Sequence, residues 1–367
     1  DYLIDISSIA ECNKDYGIHP YFYYISRLSQ KMTTTPILLG NMANHFLDVF
    51  VNAPADQEIS YNETMKEIFR IFPFDISINS ELDDDTKKKE FFKSSELQFK
   101  NIRRVVRNVF PQQNIDIQNA VLEPSFICPP LGIQGRLDFL SITDKKTTVI
   151  ELKSGKAPFP ENRTELVAVN HKSQLFLYQI VVQKVLGIKF KDMHSYLFYS
   201  KYEEADANLR RVQPYMDGIK QILNIRNQIA GIERKVAEYE NFFPKIIKHL
   251  SPELLVNKEG QNERFLNEYI YPGIKLFKST FQKASPLELA YFYNFYHFIS
   301  KEQFISKAGL KYYDQALGHA NLWLGDIEDK LESGDILYQL SVLENFSNQA
   351  NPTIRLSIPT HGEYFLP

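Results

Sequence analysis

Three residues in the stretch GRLDFLSITDKKTTVIELKSGK, residues 135–156, have the types and spacing to support metal-assisted hydrolysis: Asp138, Glu151 and Lys153. Ile133 to Ile142 reads as a strand, Thr143-Asp144-Lys145-Lys146 as the polar cluster that reverses it, and Thr147 to Lys153 as a second strand rich in β-branched residues. Period-2 alternation puts Val149, Glu151 and Lys153 on one face of that second strand and Leu152 on the other. If the strands pair around the turn, Asp138 joins them. Two carboxylates and an ammonium at one strand end repel, desolvate or neutralise one another unless a divalent cation or an anionic substrate lies between them. A hard cation such as Mg²⁺ takes oxygens from one or two carboxylates and completes its shell with water and substrate phosphate. The lysine is then free to hold the water or a phosphate oxygen. A solvated surface hairpin with a salt bridge uses the same residues, so the elements around the hairpin have to decide between the two readings.

Those elements follow from local signals. Thr35-Pro36 gives an N-cap and a proline at the first helical position, opening a helix through Val51 that carries Gly40 and His45. Val121 to Ile127 reads as a strand bearing Glu123, broken by Pro129-Pro130, so that 121–127, 133–142 and 147–153 form a meander. The loop Ser154 to Pro160 lacks the G-x-x-x-x-G-K-[ST] pattern, which excludes a nucleotide-binding loop there. Thr164 to Leu186 is the strongest helix and ends at Gly187. On it Gln174 and Tyr178 stand four apart on one face, amid Leu175, Phe176, Leu177, Ile180 and Val181. A glutamine in such surroundings needs hydrogen-bond partners, from an active site or from nearby backbone. Met193 to Ser200 supplies a fourth strand. The order β-β-β-α-β predicts an α/β protein with a mixed sheet and helices packed against it.

The remainder is predicted to be largely helical. An acidic run, Glu81 to Asp85, gives way to Lys87-Lys88-Lys89 and an amphipathic helix on which Lys100, Arg103, Arg104 and Arg107 share a face. That face is either a solvated exterior or a ridge that tracks phosphates. A long helix is expected from about 208 to 240, with later starts at Ser251-Pro252 and at the capping box Ser285-Pro286-Leu287-Glu288. The helix after Ser285 carries Tyr291, Phe292, Tyr293, Phe295, Tyr296 and Phe298, which predicts burial on several sides. The aromatic cluster in residues 1 to 34, Tyr21-Phe22-Tyr23-Tyr24, reads as core packing around a short helix.

Composition sets the outer limits. With 367 residues the chain can build a large core and more than one lobe. A net charge of −3 means that any nucleic-acid contact must come from a local patch. Cys12 and Cys128 are the only cysteines, which excludes a disulfide framework or an all-cysteine metal cluster within this chain and fits a reducing compartment. No apolar run approaches the roughly 20 residues of a membrane span, so no membrane partner is expected. The chain opens on Asp1 and closes on an extended-looking stretch, so the expectation is a piece of a longer polypeptide.

Taken in order, Gly40 with His45, Glu123, Gly135-Arg136-Leu137-Asp138, Glu151-Leu152-Lys153, and Gln174 with Tyr178 resemble the RecB-like branch of the PD-(D/E)xK nuclease superfamily. The resemblance covers roughly residues 10 to 230 and looks closest to nuclease domains of nuclease–helicase proteins in replication and repair and to CRISPR-associated adaptation nucleases. It implies a restriction-endonuclease-like mixed β-sheet core in residues 1–230; residues 231–367 have no counterpart in it, and local signals there predict a helical extension at 231–350 and an extended segment at 351–367 leading toward a missing domain. It implies His45, Asp138, Glu151 and the carbonyl of Leu152 as metal ligands for one or two Mg²⁺ or Mn²⁺ ions, Lys153 as the group that orients the attacking water, and Gln174 and Tyr178 as residues that position the scissile phosphate or the lysine. Glu123 is expected to be a supporting acid behind the ligands. No iron–sulfur cluster is expected, because the family's four cysteines are missing. The implied partners are DNA, single-stranded or flapped, and a helicase domain in the same polypeptide; the implied setting is the bacterial cytoplasm or nucleoid. Two other readings stay open: a non-catalytic DNA-binding or assembly module that keeps the fold, and a restriction-type or mobile-element endonuclease.

Overall fold

The computed structural model describes residues 2–29, 33–54, 56–144, 146–160, 163–308, 325–334, 336–346 and 353–357. Most of the expected 351–367 segment lies outside the described residues, and position 230 falls inside a continuous helix, Met216–Glu238.

The architecture is mixed α/β, as the strand and helix order predicts. A five-stranded sheet runs Leu209–Arg211, Met193–Tyr199, Thr147–Lys153, Phe139–Ile142, Ala120–Leu122. Thr147–Lys153 pairs in parallel with Met193–Tyr199 and antiparallel with Phe139–Ile142. The parallel pair is joined through the helix Val169–Leu186, since parallel neighbours need a crossover connection. Helices cover both faces. Val149, Leu140, Leu197 and Tyr199 pack with Leu175, Leu177 and Val181 of the crossover helix, whereas Ile150, Leu152, Tyr196 and Phe198 pack with Met42, Phe46 and Phe50 of Thr35–Asn52 and with Phe99 and Ile102 of Asp85–Arg104. The first of these cores also includes Ile229, Phe243 and Tyr296.

The two long predicted strands are each broken. Residues 120–128 split into Ala120–Leu122 and Ser125–Cys128, and 133–142 into Ile133–Arg136 and Phe139–Ile142. The halves Ser125–Cys128 and Ile133–Arg136 leave the main sheet and join Ile4–Asp5 in a second, three-stranded sheet. At the bend Glu123 adopts φ +49°, a left-handed conformation that a residue other than glycine rarely takes. The two chains stay tied across it, because Glu123 N–H donates to the Asp138 carbonyl (3.1 Å) and Leu137 N–H to that of Pro124 (3.1 Å). Sheet corners of this kind re-aim side chains and recur beside functional sites.

Other boundaries shift for local reasons. The crossover helix starts at Val169 rather than 164, because residues 163–168 form a loop whose Arg163 and Leu166 carbonyls accept from the buried guanidinium of Arg210. The helix expected from 208 starts at Met216, after Leu209–Arg211 has joined the sheet edge and Pro214 has intervened. The helix Pro286–Ala308 carries the expected capping box, with Ser285 N–H and Oγ both 2.7 Å from Glu288 Oε2. It is not buried all round, however: Tyr296 is enclosed, while Tyr291, Phe295 and Phe298 are exposed.

The N-terminal segment is clamped by the helical half. Asn257 N–H donates to the Tyr16 carbonyl at 2.8 Å, and the backbone at Gly17 runs so close to Leu255 that a side chain there would overlap the Leu255 carbonyl. Gly17→Ala is therefore expected to lower stability by about 1–3 kcal/mol, an overpacking cost that cannot relax through a flexible side chain. Chemical denaturation of the two proteins measures it.

Candidate active site

Odd-numbered residues of Thr147–Lys153 face the crossover helix, so Glu151 and Lys153 meet Gln174 there. Lys153 Nζ lies 2.9 Å from Glu151 Oε1 and 2.9 Å from Gln174 Oε1, and Gln174 Nε2 donates to Glu151 Oε1 at 2.6 Å. The three side chains thus close a triangle in which every bond involves an ionised group, the strong kind of hydrogen bond. Glu151 is only 3% exposed, and its second oxygen, Oε2, is buried without a partner.

Asp138 sits at the bend between the two sheets, and its Oδ2 accepts from Leu152 N–H at 2.6 Å. Leu152 thereby contributes its amide to the site. Burial and then the nearby Glu151 drive the Asp138 carboxyl well above the ordinary carboxylate range, against the pull of Lys153 and the Leu152 N–H. Burial also raises Glu151, with Lys153 opposing. Burial and mutual repulsion thus oppose full ionisation of the two carboxyls together.

Tyr178, one turn beyond Gln174, donates its hydroxyl to the Arg136 carbonyl and so pins the crossover helix to the strand that leads into Asp138. Burial and the two carboxylates push its phenol far up, and it stays protonated as a donor. Glu123 faces outward from the bend and pairs with Arg136 at 3.0 Å. On the other flank His171 bonds to the Tyr199 hydroxyl through Nδ1 (3.1 Å), and burial together with Lys153 and Lys14 takes its imidazole down to about 3. It is a neutral ring.

His45 occupies a different place. Its helix packs on the opposite face of Thr147–Lys153, and its Nε2 lies 3.5 Å from Glu67 Oε2, without a hydrogen bond. The helix does reach the site's edge, where Gly40 lies beside the Ser154 hydroxyl. Among the described residues no three His, Cys, Asp or Glu side chains converge to hold a metal ion, so the expected set of His45, Asp138 and Glu151 is not assembled here.

The basic ridge is also altered. Val105–Val109 is a π-helical turn, whose smaller rotation per residue sets Arg107 back from the α-helical phase shared by Lys100, Arg103 and Arg104. Lys100 pairs with Glu96 at 2.6 Å, Arg104 donates to Tyr202 O and Asn208, and Arg107 to the carbonyls of Ala53 and Pro54; Arg103 remains exposed. Arg104 and Arg107 thus hold neighbouring segments, while Lys100 and Arg103 stay on the surface.

Two residues that the motif reading passes over flank the site. Arg136 was visible only as filler before Asp138. Asp48 lies one turn beyond His45, and burial with the nearby Glu123 raises its carboxyl to about 6, with Arg136 opposing. Its i+3 spacing from His45 was the available signal.

Comparison with known proteins bears on this arrangement. No curated protein matches the chain. A solved structure of a candidate exonuclease from Eubacterium rectale is similar at 12% identity over 62% of this chain and 82% of that one, with a TM-score of 0.37. The family model described as the PD-(D/E)XK nuclease superfamily matches residues 20–253, which include the bend, the Glu-x-Lys strand and the Gln–Tyr helix. Nucleases of this superfamily generally use divalent metal ions. By that match over more than half its length, the chain belongs to the PD-(D/E)XK nuclease superfamily.

Proposed function

We propose that the chain is a divalent-metal-dependent DNA nuclease of the RecB-like branch, with single-stranded or flapped DNA as substrate, acting as the nuclease part of a larger nuclease–helicase in replication, recombination or repair. The observation that carries the reading is the orphaned oxygen of Glu151 beside a second buried carboxylate, Asp138, with one lysine between neutrality and excess charge. Such a pair fits a hard cation, which would satisfy Oε2 and offset the repulsion. Asp138, Glu151 and the Leu152 main chain are the groups that would hold Mg²⁺ or Mn²⁺, and His45 would reach them only after leaving Glu67.

When bound, the ion supplies charge stabilisation on the phosphoryl oxygens and a hydroxide at neutral pH. The chain's own residues do the rest. Lys153 spends two of its three N–H bonds on Glu151 and Gln174, and the third is available to the attacking water or a phosphate oxygen. Gln174 fixes the ammonium's direction, so that little reorganisation is needed when substrate arrives. Tyr178 holds the strand before Asp138 and acts on the carboxylate's position rather than on the phosphate. Phosphate contacts carry no base information, which favours selection by strand structure over sequence.

The reading is tested by incubating labelled single-stranded, flapped and duplex DNA with the protein and Mn²⁺, beside Asp138→Ala. Wild-type cleavage that is lost in the variant is the expected outcome, with the flapped and single strands cut faster than duplex. Cleavage surviving in Asp138→Ala would remove the proposed site. Binding without cleavage by wild type would favour the alternative of a DNA-binding module that retains the fold, which the unassembled His45 position also favours.

A further inference from the structure

Arg136 precedes Asp138 by two residues, with the buried Leu137 between them. Asp138 lies in the bend between the strands Ile133–Arg136 and Phe139–Ile142, and Glu123, whose N–H donates to the Asp138 carbonyl at 3.1 Å, pairs with the guanidinium and so holds it on the flank of the site, while Leu137 turns into the core. The Arg136 main chain is fixed by the Tyr178 hydroxyl, and its side chain is 61% exposed. What holds the guanidinium is acidic and partly open to solvent: Glu123, 3.0 Å away and placed by the strained bend, with Asp48 of the helix Thr35–Asn52 nearby. Most of the other described cations around the site already have partners, and Lys153 keeps one N–H for the reacting group. Lys153 is bound to Glu151 and Gln174, Lys14 is paired with Glu11, and Arg104 and Arg107 are turned onto carbonyls and Asn208.

We propose that Arg136 is a substrate-binding residue that takes a DNA phosphate next to the scissile one, with Glu123 as the counter-charge that the phosphate displaces. The inference rests on the nuclease reading and names a residue that reading did not use. A planar guanidinium matches a phosphate bidentately, and an exposed ion pair is weak enough to exchange one oxyanion partner for another. Glu123 then has two effects. It keeps the side chain beside the Asp138 bend in the free protein, and it competes with DNA for it. Asp48 adds to the negative field that draws the guanidinium to this flank.

The test is fluorescence anisotropy of a labelled oligo(dT) in Ca²⁺ buffer over a salt series, with wild type, Arg136→Ala, Arg136→Lys and Glu123→Gln, and steady-state cleavage in Mn²⁺. Arg136→Ala is expected to weaken binding roughly 5- to 20-fold and to flatten the log–log salt slope by about 0.7, the loss of one single-strand phosphate contact. KM rises while kcat stays within about threefold, because the contact lies beside the reacting atoms. Arg136→Lys falls between wild type and alanine, and Glu123→Gln binds as tightly as wild type or a few-fold tighter. Wild-type affinity and slope in Arg136→Ala overturn the proposal. So does a Glu123→Gln variant that loses as much binding as Arg136→Ala, since the pair would then be shaping the bend rather than serving the ligand. If wild type cuts while Arg136→Ala is unaffected, only this inference fails; wild type that neither binds nor cuts removes the nuclease reading as well.

Discussion

Asp138→Asn is expected to abolish metal-dependent cleavage and, in EDTA, to raise the melting temperature. Both outcomes follow from the same carboxylate. Asparagine keeps an oxygen for the Leu152 N–H, so the bend and its 2.6 Å hydrogen bond survive, while the charge that would attract a cation disappears. Removing several kcal/mol of transition-state stabilisation corresponds to a rate loss of about a thousandfold or more. The stability gain comes from burial. The folded-state pKa of Asp138 is raised above its unfolded value, so the group contributes most at acid pH. That contribution is fully present below the unfolded value near pH 4 and is lost as pH rises toward the folded one, at about 1.4 kcal/mol per pH unit. At neutral pH the metal-free wild type therefore bears a penalty that the variant lacks. Melting curves in EDTA from pH 4 to 8 measure it: wild type should lose stability with rising pH more steeply than Asp138→Asn. Adding Mn²⁺ should stabilise wild type and leave the variant unmoved. Equal pH slopes would show that Asp138 is solvated and that its neighbours do not raise it.

Lys153→Ala should also eliminate cleavage, but with the opposite effect on stability. Glu151, at 3% exposure, then loses the one cationic partner it has among the described residues, and Gln174 loses the donor that engages its oxygen. Breaking a buried pair on one side costs about 3–5 kcal/mol, because the remaining charge stays desolvated. The double variant Lys153→Met with Glu151→Gln removes both charges at similar volume and should recover most of that loss while remaining inactive. Urea unfolding of the single and double variants, with the cleavage assay alongside, separates the two roles. A single variant as stable as wild type would mean that Glu151 simply takes up a proton when its partner is gone.

The sequence made some of this arrangement readable and left other parts out of view. The Glu-x-Lys spacing set both side chains on one face, and the four-residue spacing of Gln174 and Tyr178 set a second pair on a helix; the structure joins Lys153 to Gln174 and gives Tyr178 a backbone partner. The mixed sheet between helical layers was legible because the strands alternate and the crossover helix is long. The break at Glu123 was not. Nothing in a glutamate announces a left-handed backbone, and both halves of each strand read as β. Leu209–Arg211 escaped for a similar reason: three residues with two arginines carry no alternation, and the strand exists because Arg210 finds carbonyls inside the fold. The basic ridge assumed an unbroken α-helical phase, which the turn Val105–Val109 does not keep. His45 was placed on the right helix, but sequence spacing cannot say which neighbour a half-buried imidazole meets, and Glu67 comes from a separate helix.

The burial of Thr147–Lys153 on both faces has one more effect, on errors of folding. Apolar residues at 149, 150 and 152 would fit either helical layer, so hydrophobicity alone does not fix how this strand lines up with Phe139–Ile142 and Met193–Tyr199. A slip by one residue would exchange its two faces. Glu151 and Lys153 would then enter the layer of Phe46, Phe50 and Phe99, far from Gln174, and two ions would be stranded among rings. The residues that make the strand chemically useful thus also make its misaligned forms prohibitively unfavourable, and the reactive pair doubles as the mark by which the chain recognises its own correct alignment.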